Sequence, residues 1–297
     1  MNIGTENKTF ASATVETIII GVQKHREQMK NWSAFSEFFG STLEAWIRSG
    51  EISSDQKKLM KFPVTTANET IKRVLFVGLG EGKNVTEENL RETFGLVGKE
   101  LKSLKVNNYA IWLDSFVTPT IDETDVAFLA AEGIGMGFYT VPNYKTSSNE
   151  VDTYIDRVEF ITEANVEEIV ASFEVGYIYT QTVNEARSLV NLPPNMLTAT
   201  DLANYAVDLA NQYDFEVEIL NKAQLEELGM GGILSVNQGS SEEPRMITLK
   251  YQAKDNWEDV VGFVGKGVTY DTGGYSLKPR ESMVGMKGDM GGAAAVL

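Results

Sequence analysis

The sequence contains no cysteine and only one histidine, His25. Disulfide bonds, thiolate metal sites and a cysteine nucleophile are therefore excluded. A serine, histidine and aspartate triad has no evident base, because His25 lies between Lys24 and Arg26 in a basic cluster typical of an exposed histidine. Any metal site in this sequence must use oxygen ligands or an unusual nitrogen ligand.

Positive charge is also scarce, with 26 Lys and Arg residues against 42 Asp and Glu residues and a formal net charge of -16. Such a surface repels phosphate backbones and anionic lipids, so nucleic-acid binding is a poor first hypothesis. The N-terminus lacks the basic start and apolar stretch of a secretory signal, and the early apolar run at residues 17–22 is too short to cross a membrane. We expect a cytoplasmic protein without a membrane segment.

Strand and helix patterns alternate along the first part of the chain. Apolar runs at residues 17–22, 73–77 and 109–113 predict strands, and residues 86–104 predict a helix between the last two. Residues 127–138 and 157–161 predict a further helix and strand. This succession favours an α/β fold with a mostly parallel sheet.

A long helix is predicted after Asn165, which has the character of an N-cap with Glu168 three residues later. We place a domain boundary near residue 165, with an N-terminal domain at 1–164, a linking helix at 165–190 and a second domain at 191–297. Beyond the helix breaker at residues 191–195, Thr198 and Asp201 can cap the next helix. Strands are predicted at 215–220, 246–251 and 260–264, and a helix at 222–228.

The last eight residues, 290–297, resemble the first turns of a buried helix, with no polar face and no C-cap glycine. Natural domains seldom stop on such a segment, and we therefore expect a truncated chain. A short C-terminal helix docked on the core is the alternative.

The glycine-rich run at residues 78–83 follows a predicted strand and precedes a predicted helix, as phosphate loops do. It matches neither phosphate-binding fingerprint. The dinucleotide pattern needs a glycine where Lys83 stands, and the other phosphate loop needs Ser or Thr where Asn84 stands. A tight turn is the favoured interpretation.

Four charged residues near the C-terminal end are candidates for a functional site: Lys266, Asp271, Lys278 and Asp289. Two carboxylates can hold a divalent cation, and the glycines that follow Asp271 let the backbone approach an ion or substrate. A neutral Lys266 amine could donate a lone pair, while a charged Lys278 could stabilise an oxyanion. From residue chemistry alone, the alternative to a functional cluster is that these are four ordinary charged residues in surface loops.

Three motifs carry a family resemblance. The motifs are VGKGVTYDTGGYSLKP with MKGDMGGAAAVL, ARSLVNLPPNMLTA, and GMGGILSVNQGS. They resemble blocks of the leucine aminopeptidase (cytosol aminopeptidase) family, di-zinc metallopeptidases that remove N-terminal residues from peptides. The resemblance covers about residues 185–297, and residues 1–165 are similar in layout to the family's macro-like domain. It implies an α/β protein with an N-terminal macro-like domain followed by the first part of an α/β zinc-peptidase catalytic domain.

The resemblance also implies roles for the four charged residues. Lys266, Asp271 and Asp289 correspond to zinc ligands, with Asp271 bridging two ions, and Lys278 corresponds to the catalytic lysine that polarises the scissile carbonyl. The implied cofactors are two divalent ions, Zn²⁺ or Mn²⁺, with bicarbonate as general base in the complete enzyme. The implied partners are peptides with a free N-terminus, preferentially leucine, and five further copies in a homohexamer.

One family block is missing from the sequence. The run Asn-Thr-Asp-Ala-Glu-Gly-Arg, which supplies further metal ligands and the arginine that holds bicarbonate, does not occur. We therefore expect this chain to be inactive as an aminopeptidase. Two other functions stay open: a non-catalytic binding or assembly module built on the macro-like domain, and DNA binding, which some members combine with peptidase activity.

Overall fold

The computed structural model describes residues 1–25, 29–30, 32–64, 73–141, 144, 154–253 and 259–297. The chain divides into two compact units. The first takes in Met1–Thr140 and Thr146–Thr182, and the second takes in Val141–Lys145 and Val183–Leu297. His25 is exposed, as predicted, and Arg26 of the same basic cluster lies outside the described residues.

A six-stranded sheet forms the centre of the first unit, in the order β1-β6-β5-β2-β4-β3. Its neighbouring strands are parallel except for β3, which runs antiparallel to β4. Both β2 and β4 are buried on both faces, which explains their continuous apolar runs. The strands are β1 Asn2–Ile3, β2 Thr17–Gln23, β3 Leu59–Pro63, β4 Arg73–Gly80, β5 Asn108–Trp112 and β6 Arg157–Ile161.

Helices cover both faces of this sheet. On one face, α2, α3 and the start of α4 contribute Phe94, Ile134 and Phe173 to a core that also includes Ile19 of β2. On the other face, α1 packs Phe35 against a second core. The unit is therefore a three-layer α/β/α structure. The helices are α1 Trp32–Arg48, kinked at Gly40, α2 Glu87–Ser103, α3 Glu123–Phe138 and α4 Val166–Asn191.

Most elements predicted for the first unit are confirmed with shifts of a few residues at their ends. The predicted cap at the start of α4 is present, because the Asn165 side chain accepts a hydrogen bond from the Glu167 amide at 3.0 Å. The predictions did not include β1, α1 and β3. The division between the compact units falls inside α4, between Thr182 and Val183, and the predicted domain bounds at 164 and 191 stay a prediction.

The second unit is built on less regular structure. Its described residues form a two-stranded antiparallel sheet, β7 with β8, and a small core that includes Leu189, Leu202 and Met290. The predicted cap of α5 is confirmed, with Thr198 and Asp201 in a capping box. The elements are α5 Ala199–Tyr213, β7 Glu216–Leu220, α6 Lys222–Glu227, α7 Gly231–Val236, β8 Met246–Lys250, α8 Arg280–Met283 and α9 Gly291–Val296.

The predicted strand at residues 260–264 is wrong. This segment has no regular secondary structure, and no described residue pairs with it as a neighbouring strand. Phe263 is 78% exposed and Val264 is 98% exposed. A strand exists only when its backbone groups find a ladder partner, and apolar composition alone does not supply one.

The helical turns predicted within residues 290–297 are present as α9, which buries Ala294. Within the described part of the chain, no helix has both the length and the apolarity needed to cross a bilayer.

Candidate functional site

The structure brings all four predicted site residues together in the second unit. The Lys266 Nζ atom lies 2.6 Å from Asp289 Oδ2 and 4.0 Å from Asp271 Oδ2. The Lys278 Nζ atom lies 2.8 Å from the same Asp271 oxygen. The four side chains therefore form one connected cluster in which positive and negative charges alternate.

The loop between Asp271 and Lys278 folds back on itself. The Asp271 carboxylate accepts a hydrogen bond from the Gly273 amide at 2.8 Å, and the Lys278 amide donates to the Thr272 carbonyl at 3.0 Å. Four successive residues, 273–276, have positive φ, between 51° and 80°. Two of them are glycines, which adopt this backbone region without steric cost. Because the loop reverses direction, the Lys278 side chain lies beside the Asp271 carboxylate at the start of the loop.

The backbone around Lys266 lies directly against the start of α9. The Lys266 carbonyl accepts a hydrogen bond from the Ala293 amide at 2.9 Å. A Cβ atom on Gly265 would stand 2.3 Å from the Gly292 carbonyl oxygen, so glycine is required at this close approach. This contact fixes the segment that carries Lys266 relative to the helix that follows Asp289.

The contacts within the cluster favour the charged forms of Lys266 and Asp271. The contact with Asp289 raises the pKa of Lys266, and Asp271 adds to the effect. The hydrogen bond from Lys278 lowers the pKa of Asp271, with further contributions from the Gly273 amide and Lys266. The Asp289 Oδ2 atom is shielded from solvent and has no partner at hydrogen-bond geometry among the described residues, so charge attraction to Lys266 holds it.

The donor set fits part of a cation site. The Lys266 ammonium stands between the Asp271 and Asp289 carboxylates, where an ion could contact both. Oxygen donors with one nitrogen donor suit a divalent cation that accepts both types of ligand. Among the described residues, however, no group of three or more acidic or imidazole side chains is placed to hold a metal ion. These residues therefore supply some ligands of a metal centre and not a complete shell.

Two residues in contact with this region were not predicted. The Met286 sulfur lies 2.9 Å from Lys278 Nζ, and Lys287 donates a hydrogen bond to the end of α4. Both belong to the same motif as Asp289, and that proximity was the available signal.

Chain packing accounts for the glycines at residues 78–83. A Cβ on Gly78 would stand 2.0 Å from the Asp55 carbonyl oxygen, and Gly80 has φ of 73°. The Lys83 ammonium lies 3.6 Å from Glu81. These contacts agree with a tight turn.

Two models of one protein family match the chain. The model described as "Cytosol aminopeptidase family, N-terminal domain" matches residues 19–148. The model described as "Cytosol aminopeptidase family, catalytic domain" matches residues 184–297, which include the whole charged cluster. Together the two models span most of the sequence.

Solved structures are similar to the chain over nearly its whole length. The bottromycin maturation enzyme BotP is 26% identical, with a TM-score of 0.72, over 95% of this chain and 54% of its own. The same enzyme in complex with Mn is 27% identical, with a TM-score of 0.72, over 94% and 54% of the two chains. A lysine-to-glutamate mutant of tomato leucine aminopeptidase shares the fold, with a TM-score of 0.80 at 22% identity over 99% and 57%. The chain thus spans a little over half the length of these proteins.

Proposed function

Because the chain belongs to the cytosol aminopeptidase family, we propose that it carries part of a metal-dependent leucyl aminopeptidase centre, which removes N-terminal residues, preferentially leucine, from peptides. Its fold is the α/β N-terminal domain of that family, followed by residues that match the catalytic domain. The observation that carries the proposal is the cluster of Lys266, Asp271, Lys278 and Asp289, joined by contacts of 2.6 to 4.0 Å.

Lys266, Asp271 and Asp289 are the proposed metal ligands, for two divalent ions, Zn²⁺ or Mn²⁺, with Asp271 shared between them. The Mn complex of BotP, a relative of this chain, supports the choice of manganese as a probe. Bound ions would polarise the substrate carbonyl and lower the pKa of a water molecule. To serve as a ligand, Lys266 must give up the proton that its two carboxylate neighbours now favour.

Lys278 is the proposed catalytic residue. Its ammonium is held beside Asp271 by the 2.8 Å contact and is only partly exposed to solvent. A cation fixed in a partly desolvated site can stabilise the negative charge that develops on the scissile carbonyl oxygen. The backbone of the folded loop at residues 273–276 positions the Lys278 ammonium, so this group is oriented before a substrate binds.

We further propose that this chain, assayed alone, has no aminopeptidase activity. The block Asn-Thr-Asp-Ala-Glu-Gly-Arg is absent from its sequence, and the cluster has two carboxylates where two ions need more ligands. Bicarbonate as general base, a homohexameric assembly and a cytoplasmic location belong to the proposal for a family enzyme that contains both blocks.

Manganese binding tests the ligand assignment. Titration of the purified chain with Mn²⁺, followed by electron paramagnetic resonance, should show weak binding, with a dissociation constant on the order of 10⁻⁴ to 10⁻³ M. Asp271→Asn and Asp289→Asn should each weaken it by about tenfold or more. Asp214→Asn is the matched control, because Asp214 is an exposed carboxylate in the same unit. Equal affinities for the wild type and both site variants would contradict the assignment.

Hydrolysis of a fluorogenic leucine amide tests the predicted inactivity. The wild-type chain with added Mn²⁺ or Zn²⁺ should release no fluorophore above the rate without protein. Release of the fluorophore by the wild-type chain, abolished by Asp271→Ala, would show that the chain alone catalyses the reaction and that Asp271 is needed for it. The inactivity proposal would then be wrong.

A further inference from the structure

The turn that carries Asp289 is joined to the end of α4 by a lysine. The Lys287 Nζ atom donates a hydrogen bond to the carbonyl oxygen of Asn191 at 2.8 Å, although 96 residues separate them in sequence. Asn191 is the last residue of α4. Carbonyls in the last turn of a helix have no amide partner within it and carry the negative end of its dipole, so an ammonium group is a suitable partner.

This lysine differs from the two lysines of the charged cluster. Lys266 and Lys278 each pair with a carboxylate, at 2.6 and 2.8 Å. No carboxylate among the described residues lies within ion-pair distance of Lys287. Lys287 therefore takes no part in the alternating charges, and its hydrogen bond is directed at backbone.

Packing also holds the same turn, on both sides of Asp289. Met290 is fully buried in the small core of the second unit. Cβ atoms on Gly288 and Gly291 would stand 3.4 and 3.5 Å from the methyl groups of Val190, so the backbone of the turn lies on the last turn of α4. The segment around Asp289 is thus held by apolar contacts on both sides of it, and by the polar contact of Lys287 before it.

The position of this turn also sets the contact between Asp289 and Lys266. The Ala293 amide, in the first turn of α9, donates to the Lys266 carbonyl at 2.9 Å. The 2.6 Å contact between the Lys266 and Asp289 side chains joins the same two segments. A shift of the turn along α4 would change both distances.

We infer that Lys287 is a positioning residue for Asp289, acting through its hydrogen bond to the Asn191 carbonyl. The inference rests on the proposed function, in which Asp289 is a metal ligand. Loss of the hydrogen bond should loosen the turn before Asp289, although the contacts with Val190 remain, and the carboxylate would then be less precisely oriented toward a bound ion. Outer-shell partners that orient a ligand typically change metal affinity by about 10- to 100-fold.

Manganese affinity provides the first measurement. Lys287→Met keeps the length and apolar character of the side chain and removes the donor, and it should weaken Mn²⁺ binding by about tenfold. Lys287→Arg keeps a charged donor and should restore binding to within about twofold of the wild type. Lys222→Met is the matched control, because Lys222 is an exposed lysine of the same unit, paired with Glu226 at 4.0 Å. It should bind Mn²⁺ as the wild type does.

Amide hydrogen exchange without metal provides the second measurement. In Lys287→Met the Ala293 amide should exchange about tenfold faster than in the wild type, because the turn opens more often. The Lys222→Met control should leave it unchanged. If Lys287→Met does not fold, Lys287→Gln takes its place in both measurements.

The outcomes separate this inference from the proposed function. If Asp289→Asn loses Mn²⁺ binding while Lys287→Met binds as tightly as the wild type, the ligand assignment stands and the positioning role is wrong. Faster exchange with unchanged affinity would likewise show a merely structural lysine and overturn the inference. If the wild-type chain binds no Mn²⁺, or Asp289→Asn binds it normally, the ligand assignment fails and the positioning role fails with it.

Discussion

Strand β4, Arg73–Gly80, and the segment at residues 259–267 have closely similar sequences, RVLFVGLG and DVVGFVGKG. Their environments are opposite. In the first unit, β4 pairs with β2 and β3 and is covered on both faces, and Phe76 is fully buried. In the second unit, Phe263 is 78% exposed, and no described strand pairs with its segment. Apolar composition therefore favours a strand, and neighbouring strands decide whether one forms.

The largest predicted effect compares the two phenylalanines. Phe76→Ala should lower the free energy of unfolding by about 3–5 kcal/mol, because it opens a cavity between aromatic rings of the first unit. Phe263→Ala should change it by less than about 0.5 kcal/mol, because this ring is already in solvent. Urea denaturation followed by circular dichroism measures both. Equal losses would show that Phe263 is packed in solution.

Glycine substitutions sharpen the same comparison at helix contacts. A Cβ on Gly133 of α3 would stand 2.5 Å from the Arg91 carbonyl oxygen of α2, whereas no described atom lies within 4 Å of a Cβ on Gly232 of α7. Gly133→Ala should cost about 1–3 kcal/mol through overpacking. Gly232→Ala should be neutral or stabilise by up to about 1 kcal/mol through helix propensity. Thermal unfolding with matched calorimetric scans tests the pair, and a neutral Gly133→Ala would contradict the close packing of α2 on α3.

Helix caps should behave alike in the two units, because they depend on local contacts. Asp122 and Thr198 each form a capping box, at the starts of α3 and α5. Asp122→Ala and Thr198→Ala should each cost about 1 kcal/mol in denaturation experiments. A large cost in one unit with none in the other would show that tertiary structure controls the caps.

The caps also predict a pH dependence. The Thr124 hydroxyl and the Asp125 amide lower the pKa of Asp122, and the Thr198 hydroxyl and amide lower the pKa of Asp201. A carboxylate whose pKa is lower in the folded state stabilises that state fully when the pH is above its unfolded-state pKa of about 3.9. This stabilisation is lost as the pH falls through the folded-state pKa. The cost of Asp122→Ala should therefore be constant from about pH 5 to 7 and shrink below about pH 4. A constant cost down to pH 2 would argue against a charged cap.

The smallest predicted effect on stability comes from the exposed apolar segment. Val264 is 98% exposed, and unpaired apolar segments without charge tend to associate. Val264→Lys should leave the free energy of unfolding within about 0.5 kcal/mol of the wild type and reduce self-association in sedimentation velocity experiments over a range of concentrations. Ser240→Lys, at another exposed position of the unit, controls for the added charge. Equal self-association in both variants would exclude the segment as its cause.

The success of the sequence-based predictions depended on what specifies each element. Continuous apolar runs predicted β2, β4 and β5 because both faces of these strands are buried. The short edge strand β3 ends in Pro63 and is specified by its pairing with β4, which no local pattern shows. The segment at residues 260–264 was assigned to a strand on composition, and the structure shows no partner for it among the described residues.

The sequence by itself determined the local features of this protein: the caps at Asp122 and Thr198, the glycine turn after Asp271, and the identity of the charged residues of the cluster. Only the tertiary structure decided how these residues meet. Lys266 contacts Asp289 most closely, Lys278 returns to Asp271, and Lys287 reaches α4 across 96 residues. Local hydrogen bonds and backbone preferences act between neighbours in sequence, whereas these contacts depend on burial of Met290 and on glycine backbones that allow two segments to touch.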